Sequence, residues 1–300
     1  MRRLVLDRAG PRILLCGMSK NIETRSEHGC FGGRMGFYRH ASEQIGAPMN
    51  FSVFVPRQAT VAAVPVLYCL AGLTCTEETF MIKAGAQRLA AEYGLMLVSC
   101  DTSPRDLKLP GDSDSWDFGV AAGFYLDATQ PPWSAHYRMG SYINLELPAL
   151  IEANFPALPT RRGICGHSMG GHGALVTSLR DPQRWHSVSA FAPIAHPAAV
   201  PWGRKAFTHY LGADETVWQQ WDASALMTRG VHPTQILVDQ GEADQWLTTQ
   251  LKPESLEHAA RISGQALRLR RHAGFDHGYW FIQTFVADHL AHHARVLHGD

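Results

Sequence analysis

Three hundred residues suffice for one large hydrophobic core, and 45% hydrophobic, 18% charged and 10% aromatic residues describe an ordinary globular protein. Lys plus Arg and Asp plus Glu balance at 27 each, so no global charge draws the chain to nucleic acid or an anionic membrane. No basic run interleaved with aromatics appears either, and the expected ligand is a small, neutral or locally steered molecule.

At the N-terminus, Arg2 and Arg3 are followed by Asp7, Arg8 and Pro11, which interrupt any signal-peptide core. The run Ile13-Leu14-Leu15-Cys16 is too short for a secretion signal or a membrane span. Residues 1–19 are expected to form an N-terminal extension or edge strands. No linker, repeat or low-complexity tract follows, which predicts a single domain over 1–300. Short apolar runs of strand character lie at 51–55, Val64–Leu70, 95–100, 187–192 and 234–239, and a polar run at 266–272 alternates leucine with arginine. Between them lie helical stretches. The stretch 76–93 offers Thr76 as a cap and places Glu77 and Glu78 in its first turn. The stretch 142–154 is apolar at Ile143, Leu147, Leu150 and Ile151, with Pro148 marking a kink or a fresh start. A last helix is expected over 279–296. Alternating strands and helices predict an α/β chain with a mainly parallel sheet covered on both faces, its chemistry gathered at the carboxyl ends of the strands.

The six cysteines (16, 30, 69, 75, 100 and 165) include no C-x-x-C pair, and several fall in apolar segments. Reduced, buried thiols and a cytoplasmic location are the expectation.

Gly166-His167-Ser168-Met169-Gly170 carries the strongest chemical signal. A serine between two glycines at a strand-to-helix junction is a nucleophile elbow: the turn leaves no room for a Cβ at either glycine and lifts the hydroxyl into a cleft. The small residues Gly171, Gly173 and Ala174 that follow suit a helix packed close beneath a sheet. A serine hydroxyl needs a base, and the base needs a carboxylate to fix its tautomer and stabilise its cation. In this architecture the chain order is serine, acid, histidine.

That order restricts the search to the C-terminal half. The acid candidates are Asp239, Glu242 and Asp244, just past the 234–239 strand. Asp244 lies far enough into the loop to reach across a cleft, and Asp239 and Glu242 stay open beside it. For the base, His277 sits on the glycine-flanked loop Gly274-Phe275-Asp276-His277-Gly278, with His272 as a strand-end rival and Asp276 as a turn residue. His167 and His172 flank the serine but precede the acid, and are expected to pack or hydrogen-bond around the elbow. The oxyanion needs two backbone donors. Met169, next after the serine, supplies one, and Leu73, after Gly72 in the loop that follows the Val64–Leu70 strand, supplies the other. His289, His292 and His293 contain an i, i+4 pair able to bind metal, yet no carboxylate completes a motif, so a solvated helix face is expected and no metal site.

Several segments together resemble the S-formylglutathione hydrolase (esterase D) family. They are Gly32-Gly33, the stretch 70–77, Thr102-Ser103-Pro104-Arg105, the stretches 114–119, 122–129, 166–175 and 201–207, Asp239-Gln240-Gly241 through Asp244, and Phe275-Asp276-His277. The likeness spans about residues 20–290 in the family's order. It implies an α/β-hydrolase fold, a Ser168, Asp244, His277 triad, and hydrolysis of a glutathione thioester, S-formylglutathione, to glutathione and formate. It also implies side activity on small esters, a homodimer, and no metal or organic cofactor. Ala71, Ala195-His196 and Gly278 depart from residues common in the family, which leaves substrate preference less determined than reaction type.

A formyl group calls for a narrow acyl pocket. Trp116, Phe124, Tyr125 and Trp202 are candidates for its walls or for the thiol channel, with core packing as the alternative. Cys75, two residues past Leu73, is either a small buried wall residue or a thiol whose oxidation would block the cleft. Competing functions are a general short-chain carboxylesterase, an acyltransferase using the same triad, and a non-catalytic binding protein. The last would be expected to lack a triad member, and every role is filled here.

Overall fold

The computed structural model describes residues 22–299, so the expected extension over 1–19, with Cys16, lies outside the described residues. Nine strands form one sheet: β1 (Ile22–Cys30), β2 (Gly33–Ser42), β3 (Ala47–Val55), β4 (Val64–Leu70), β5 (Met96–Cys100), β6 (Ala157–His167), β7 (Ser187–Phe191), β8 (Ile236–Gly241) and β9 (Leu267–His272). Their spatial order is β1-β2-β3-β5-β4-β6-β7-β8-β9. The first three form an antiparallel meander that joins β5 antiparallel, and every later pairing is parallel. β4 and β5 are buried at every position, because helices cover both faces of the parallel region. β1 and β2 lie outside the expected strands. β1 is an edge strand exposed at most positions and rich in charge, so it lacks the apolar signal that marks the centre.

Two helical expectations are refined. The stretch 76–93 breaks into Glu77–Lys83 and Gln87–Tyr93, with Gly85 between them at φ 68. Thr76 caps the first piece: its side chain accepts the Glu78 amide and its own amide donates to Thr79. The stretch 142–154 begins as a π-type turn, Tyr142–Glu146, and continues as the α-helix Leu147–Asn154 with Pro148 in its first turn.

The register sets the site. Leu70 on β4 pairs with Gly166 on β6, Phe191 on β7 pairs with Asp239 on β8, and Gly241 pairs with His272 on β9. The parallel strands therefore end together, and the loops after β4, β6, β8 and β9 leave the same edge of the sheet. The helix Met169–Arg180 follows the β6 junction and is buried from Met169 to Ser178, while the last helix, Tyr279–His298, packs across β6, β7 and β8.

Candidate active site

Ser168 holds φ 58 and ψ −118, a conformation that costs a non-glycine residue about 1–3 kcal/mol and persists only where its surroundings impose it. Those surroundings are backbone. Its amide donates to the Phe191 carbonyl (2.9 Å), and its carbonyl accepts from His172 (3.0 Å) and Ile194 (3.3 Å). A Cβ at Gly166 would collide with the Gly170 carbonyl, and one at Gly170 with the carbonyls of Leu70 and Ala71. Both glycines flanking the serine are thus demanded by space.

His277 Nδ1 donates to Asp244 Oδ2 at 2.5 Å. Asp244 is buried, its Oδ1 accepts the Trp246 amide (2.8 Å), and its Oδ2 also accepts Gln240 Nε2 (3.3 Å). The carboxylate fixes the proton on Nδ1 and leaves Nε2 as the basic nitrogen. His277 and Ser168 line one cavity of about 190 Å³, together with Gly72, Leu73, Cys75 and Tyr279. The serine hydroxyl has no hydrogen-bond partner among the described residues, so serine and histidine meet across the cavity rather than through a formed bond.

The rival acids and base are occupied elsewhere. Asp239, at the end of β8, is buried against Arg270, His289 and His272. Burial alone would raise its carboxyl, but hydrogen bonds from His289 and Arg270 hold it well below the usual carboxylate range. Glu242 is exposed, and His272 stacks on Phe285 with ring centroids 3.8 Å apart. Asp276 accepts the Gly278 amide (2.8 Å), the turn role expected of it.

Leu73 reaches the cavity from the loop after β4, and Met169 opens the helix behind Ser168. Neither amide donates a hydrogen bond among the described residues, the condition required of an oxyanion donor. The loop is braced by the Tyr125 hydroxyl, which donates to the Ala71 carbonyl (2.8 Å), and by the Thr74 amide, which donates to Ala121 (3.1 Å).

Of the four aromatic wall candidates, Trp116 and Trp202 line the cavity, their rings 5.4 Å apart edge to face. Phe124 and Tyr125 do not, which corrects the expectation for both. Each is fully buried, Tyr125 against Gly173, where a Cβ would strike its ring, and Phe124 near His172 and Phe207. The sequence reading missed Trp246, 4.7 Å from Trp202, which lines the same cavity. Its one signal was an indole two residues past the acid.

Cys75 lines the cavity too, and burial pushes its thiol up despite hydrogen bonds from Thr79 and Gly72 and the nearby Lys83 and Arg105. A thiol so held is a weak nucleophile, so the geometry favours the wall role over the redox one.

The flanking histidines, His167 and His172, are buried around the elbow, and none of their four ring nitrogens makes a side-chain hydrogen bond among the described residues. Burial lowers His172 to about 4, and burial together with the neighbouring His277, 4.5 Å away ring to ring, holds His167 well below the ordinary range. The expected solvated face at His289, His292 and His293 is also corrected. All three are buried against β7, where His293 bonds Ser187 (2.6 Å) and Ser189 (2.8 Å), His289 bonds Ser189 (2.8 Å), and His292 meets the Val188 carbonyl (3.2 Å). Of the departing positions, Ala71 is buried, and His196 bonds Asp222 (2.7 Å) beside a depression that Ser168 does not line.

The Esterase family model matches residues 42–292. The S-formylglutathione hydrolase of Paracoccus denitrificans is 49% identical over 280 residues, covering 93% of this chain and all of that one. The S-formylglutathione hydrolase of Rattus norvegicus is 47% identical over 276 residues, covering 91% of this chain and 98% of its own. Among solved structures, an S-formylglutathione hydrolase from Agrobacterium tumefaciens superposes with a TM-score of 0.89 at 45% identity, covering 92% of this chain and 99% of that one.

Proposed function

The chain belongs to the S-formylglutathione hydrolase family of esterases, and we propose on that premise that it hydrolyses S-formylglutathione to glutathione and formate. The observation that carries the reading is a strained Ser168 sharing one small cavity with a His277 already bonded to Asp244. Ser168 Oγ attacks the formyl carbonyl while His277 Nε2 takes the hydroxyl proton, and Asp244 stabilises the imidazolium. The Leu73 and Met169 amides receive the oxyanion. Collapse of the tetrahedral intermediate breaks the carbon–sulfur bond, His277 returns its proton to the sulfur, and glutathione departs from a formyl-enzyme. Water, deprotonated by His277, attacks the formyl ester and releases formate and Ser168. A cavity of about 190 Å³ walled by Trp116, Trp202 and Trp246 suits a very small acyl group and disfavours longer ones.

The family resemblance supports a homodimer, the lack of any linker, repeat or low-complexity tract supports a single domain, and the scattered cysteines without a C-x-x-C pair support a cytoplasmic location. Among the described residues no helix is long and apolar enough to cross a membrane.

The test compares kcat/KM for S-formylglutathione, S-acetylglutathione and a short aryl acetate, with Ser168→Ala as control. A preference for S-formylglutathione that vanishes in the variant is expected. Activity confined to the aryl ester would remove the substrate, and full activity in Ser168→Ala would remove the mechanism.

A further inference from the structure

A second depression, about 380 Å³, adjoins the catalytic cavity and is bounded by Ala243, Gln245, Trp246, Asp276, His277 and Gly278. His277 and Trp246 line both spaces, so one imidazole and one indole form the partition between them. Resting on the reading above, we propose that this outer depression receives the γ-glutamyl end of the thiol leaving group, with the Asp276 carboxylate binding its α-ammonium.

The direction of the substrate follows from the proton's path. The imidazole that takes the serine proton must return it to the leaving sulfur, so the sulfur faces His277 while the carbonyl oxygen faces the Leu73 and Met169 amides. Everything attached to that sulfur then runs out on the His277 side, where the outer depression opens. Glutathione carries one ammonium and two carboxylates, and the residues bounding this depression supply one charge, that of Asp276. That carboxylate is exposed and has no cationic partner among the described residues. Its Oδ1 accepts the Gly278 amide (2.8 Å), which fixes the group and leaves Oδ2 open. A Cβ at position 278 would stand 3.1 Å from Oδ1 and 3.7 Å from Oδ2, so the glycine keeps that side of the carboxylate uncovered. The γ-glutamyl end is a zwitterion, its ammonium beside its own α-carboxylate, so an anionic subsite accepts it more readily than the glycyl end, which carries a carboxylate alone, and this sets the orientation as well as the affinity.

The experiment measures inhibition of aryl acetate hydrolysis by two dead-end ligands, S-methylglutathione and its des-amino counterpart, S-methyl glutaryl-cysteinyl-glycine. In the wild type the ligand bearing the ammonium should bind about threefold more tightly, as expected of an ion pair at an exposed site. The ratio should fall to near one in Asp276→Asn and return in Asp276→Glu. Equal inhibition of the wild type by the two ligands overturns the proposal without any variant being needed, and so does a ratio that survives in Asp276→Asn. The outcome is separable from the proposed reaction. Turnover of S-formylglutathione with a ratio of one removes the subsite alone, and a roughly threefold ratio without such turnover removes the reaction alone.

Discussion

Asp244→Asn separates the triad from a mere cluster of polar groups, because its surroundings dictate how the new amide would lie. In the native site Oδ1 accepts the Trp246 amide at 2.8 Å and Oδ2 accepts His277 Nδ1 at 2.5 Å. If asparagine keeps its oxygen toward Trp246, its NH2 faces His277. The imidazole must then accept at Nδ1 and carry its proton on Nε2, the tautomer that cannot deprotonate Ser168. If the amide flips, the productive tautomer returns, but two buried donors, the NH2 and the Trp246 amide, oppose each other at about 1–3 kcal/mol. Gln240 Nε2, donating to Oδ2 at the longer distance of 3.3 Å, counters that bias only weakly. The neutral amide also forfeits the charge-assisted bond to the imidazolium, about 1.5–3 kcal/mol. Together these terms reach about 3–6 kcal/mol, or roughly two to four decades in kcat. The assay is kcat on an aryl acetate and on S-formylglutathione across pH, with Ser168→Ala as the floor and Asp239→Asn beside it. Asp244→Asn retaining more than about a tenth of wild-type kcat would refute the argument.

Two further outcomes follow from single contacts. Tyr125→Phe strands the buried Ala71 carbonyl and frees the loop that carries Leu73. We expect a loss of about 1–2 kcal/mol in stability and a several-fold drop in kcat with KM little changed, and a stability loss alone would confine the hydroxyl to a structural role. The hydrogen bond to Asp222 raises His196 above its ordinary value. A raised folded value means that the stabilisation is complete below the unfolded histidine value of about 6.5 and is lost as pH climbs through the folded one. The Tm difference between wild type and His196→Gln should therefore be widest in mild acid and shrink with rising pH, and a difference that grows with pH would contradict it. With a side chain 37% exposed, solvent screening keeps the effect small.

Residues whose identity is forced by backbone geometry were legible in the sequence, and residues placed by tertiary packing were not. Gly166 and Gly170 could be read because a carbonyl occupies the space where each Cβ would stand, and Ser168 because the pattern falls between an apolar strand and a small-residue helix start. Chain order, which topology imposes, narrowed the acid to Asp239, Glu242 and Asp244 and the base to His272 and His277, and the family resemblance put Asp244 above its rivals. What distinguishes Asp239 from Asp244 is Arg270 on β9, which faces Asp239 across paired strands and neutralises it. The misreading of His289, His292 and His293 had the same origin. Histidine is polar enough to suggest solvent, and the two serines and the carbonyl that receive them sit on β7, about a hundred residues away in the chain. A faint signal existed, since Ser187 and Ser189 alternate on one face of a strand otherwise built of apolar residues, and a buried hydroxyl calls for a partner. Phe124 and Tyr125 were lost to backbone conformation: both take positive φ, 50 and 52, in a loop that turns their rings into the core instead of the cavity.

The same contrast explains how the site holds its geometry. The segments that carry Leu73, Ser168 and Asp244 leave β4, β6 and β8 at one level of the sheet, with β7 between the last two, so their spacing is set by hydrogen-bond register rather than by the loops themselves. The strain at Ser168 is opposed by three backbone hydrogen bonds, reaching to Phe191, His172 and Ile194. A substitution that leaves those bonds intact should alter chemistry without moving the serine, whereas one that intrudes on the Gly166 or Gly170 contacts should displace the elbow itself. Asp244→Asn is of the first kind, since it touches none of the three bonds that hold Ser168, whereas Tyr125→Phe tests the brace of the neighbouring loop that carries Leu73.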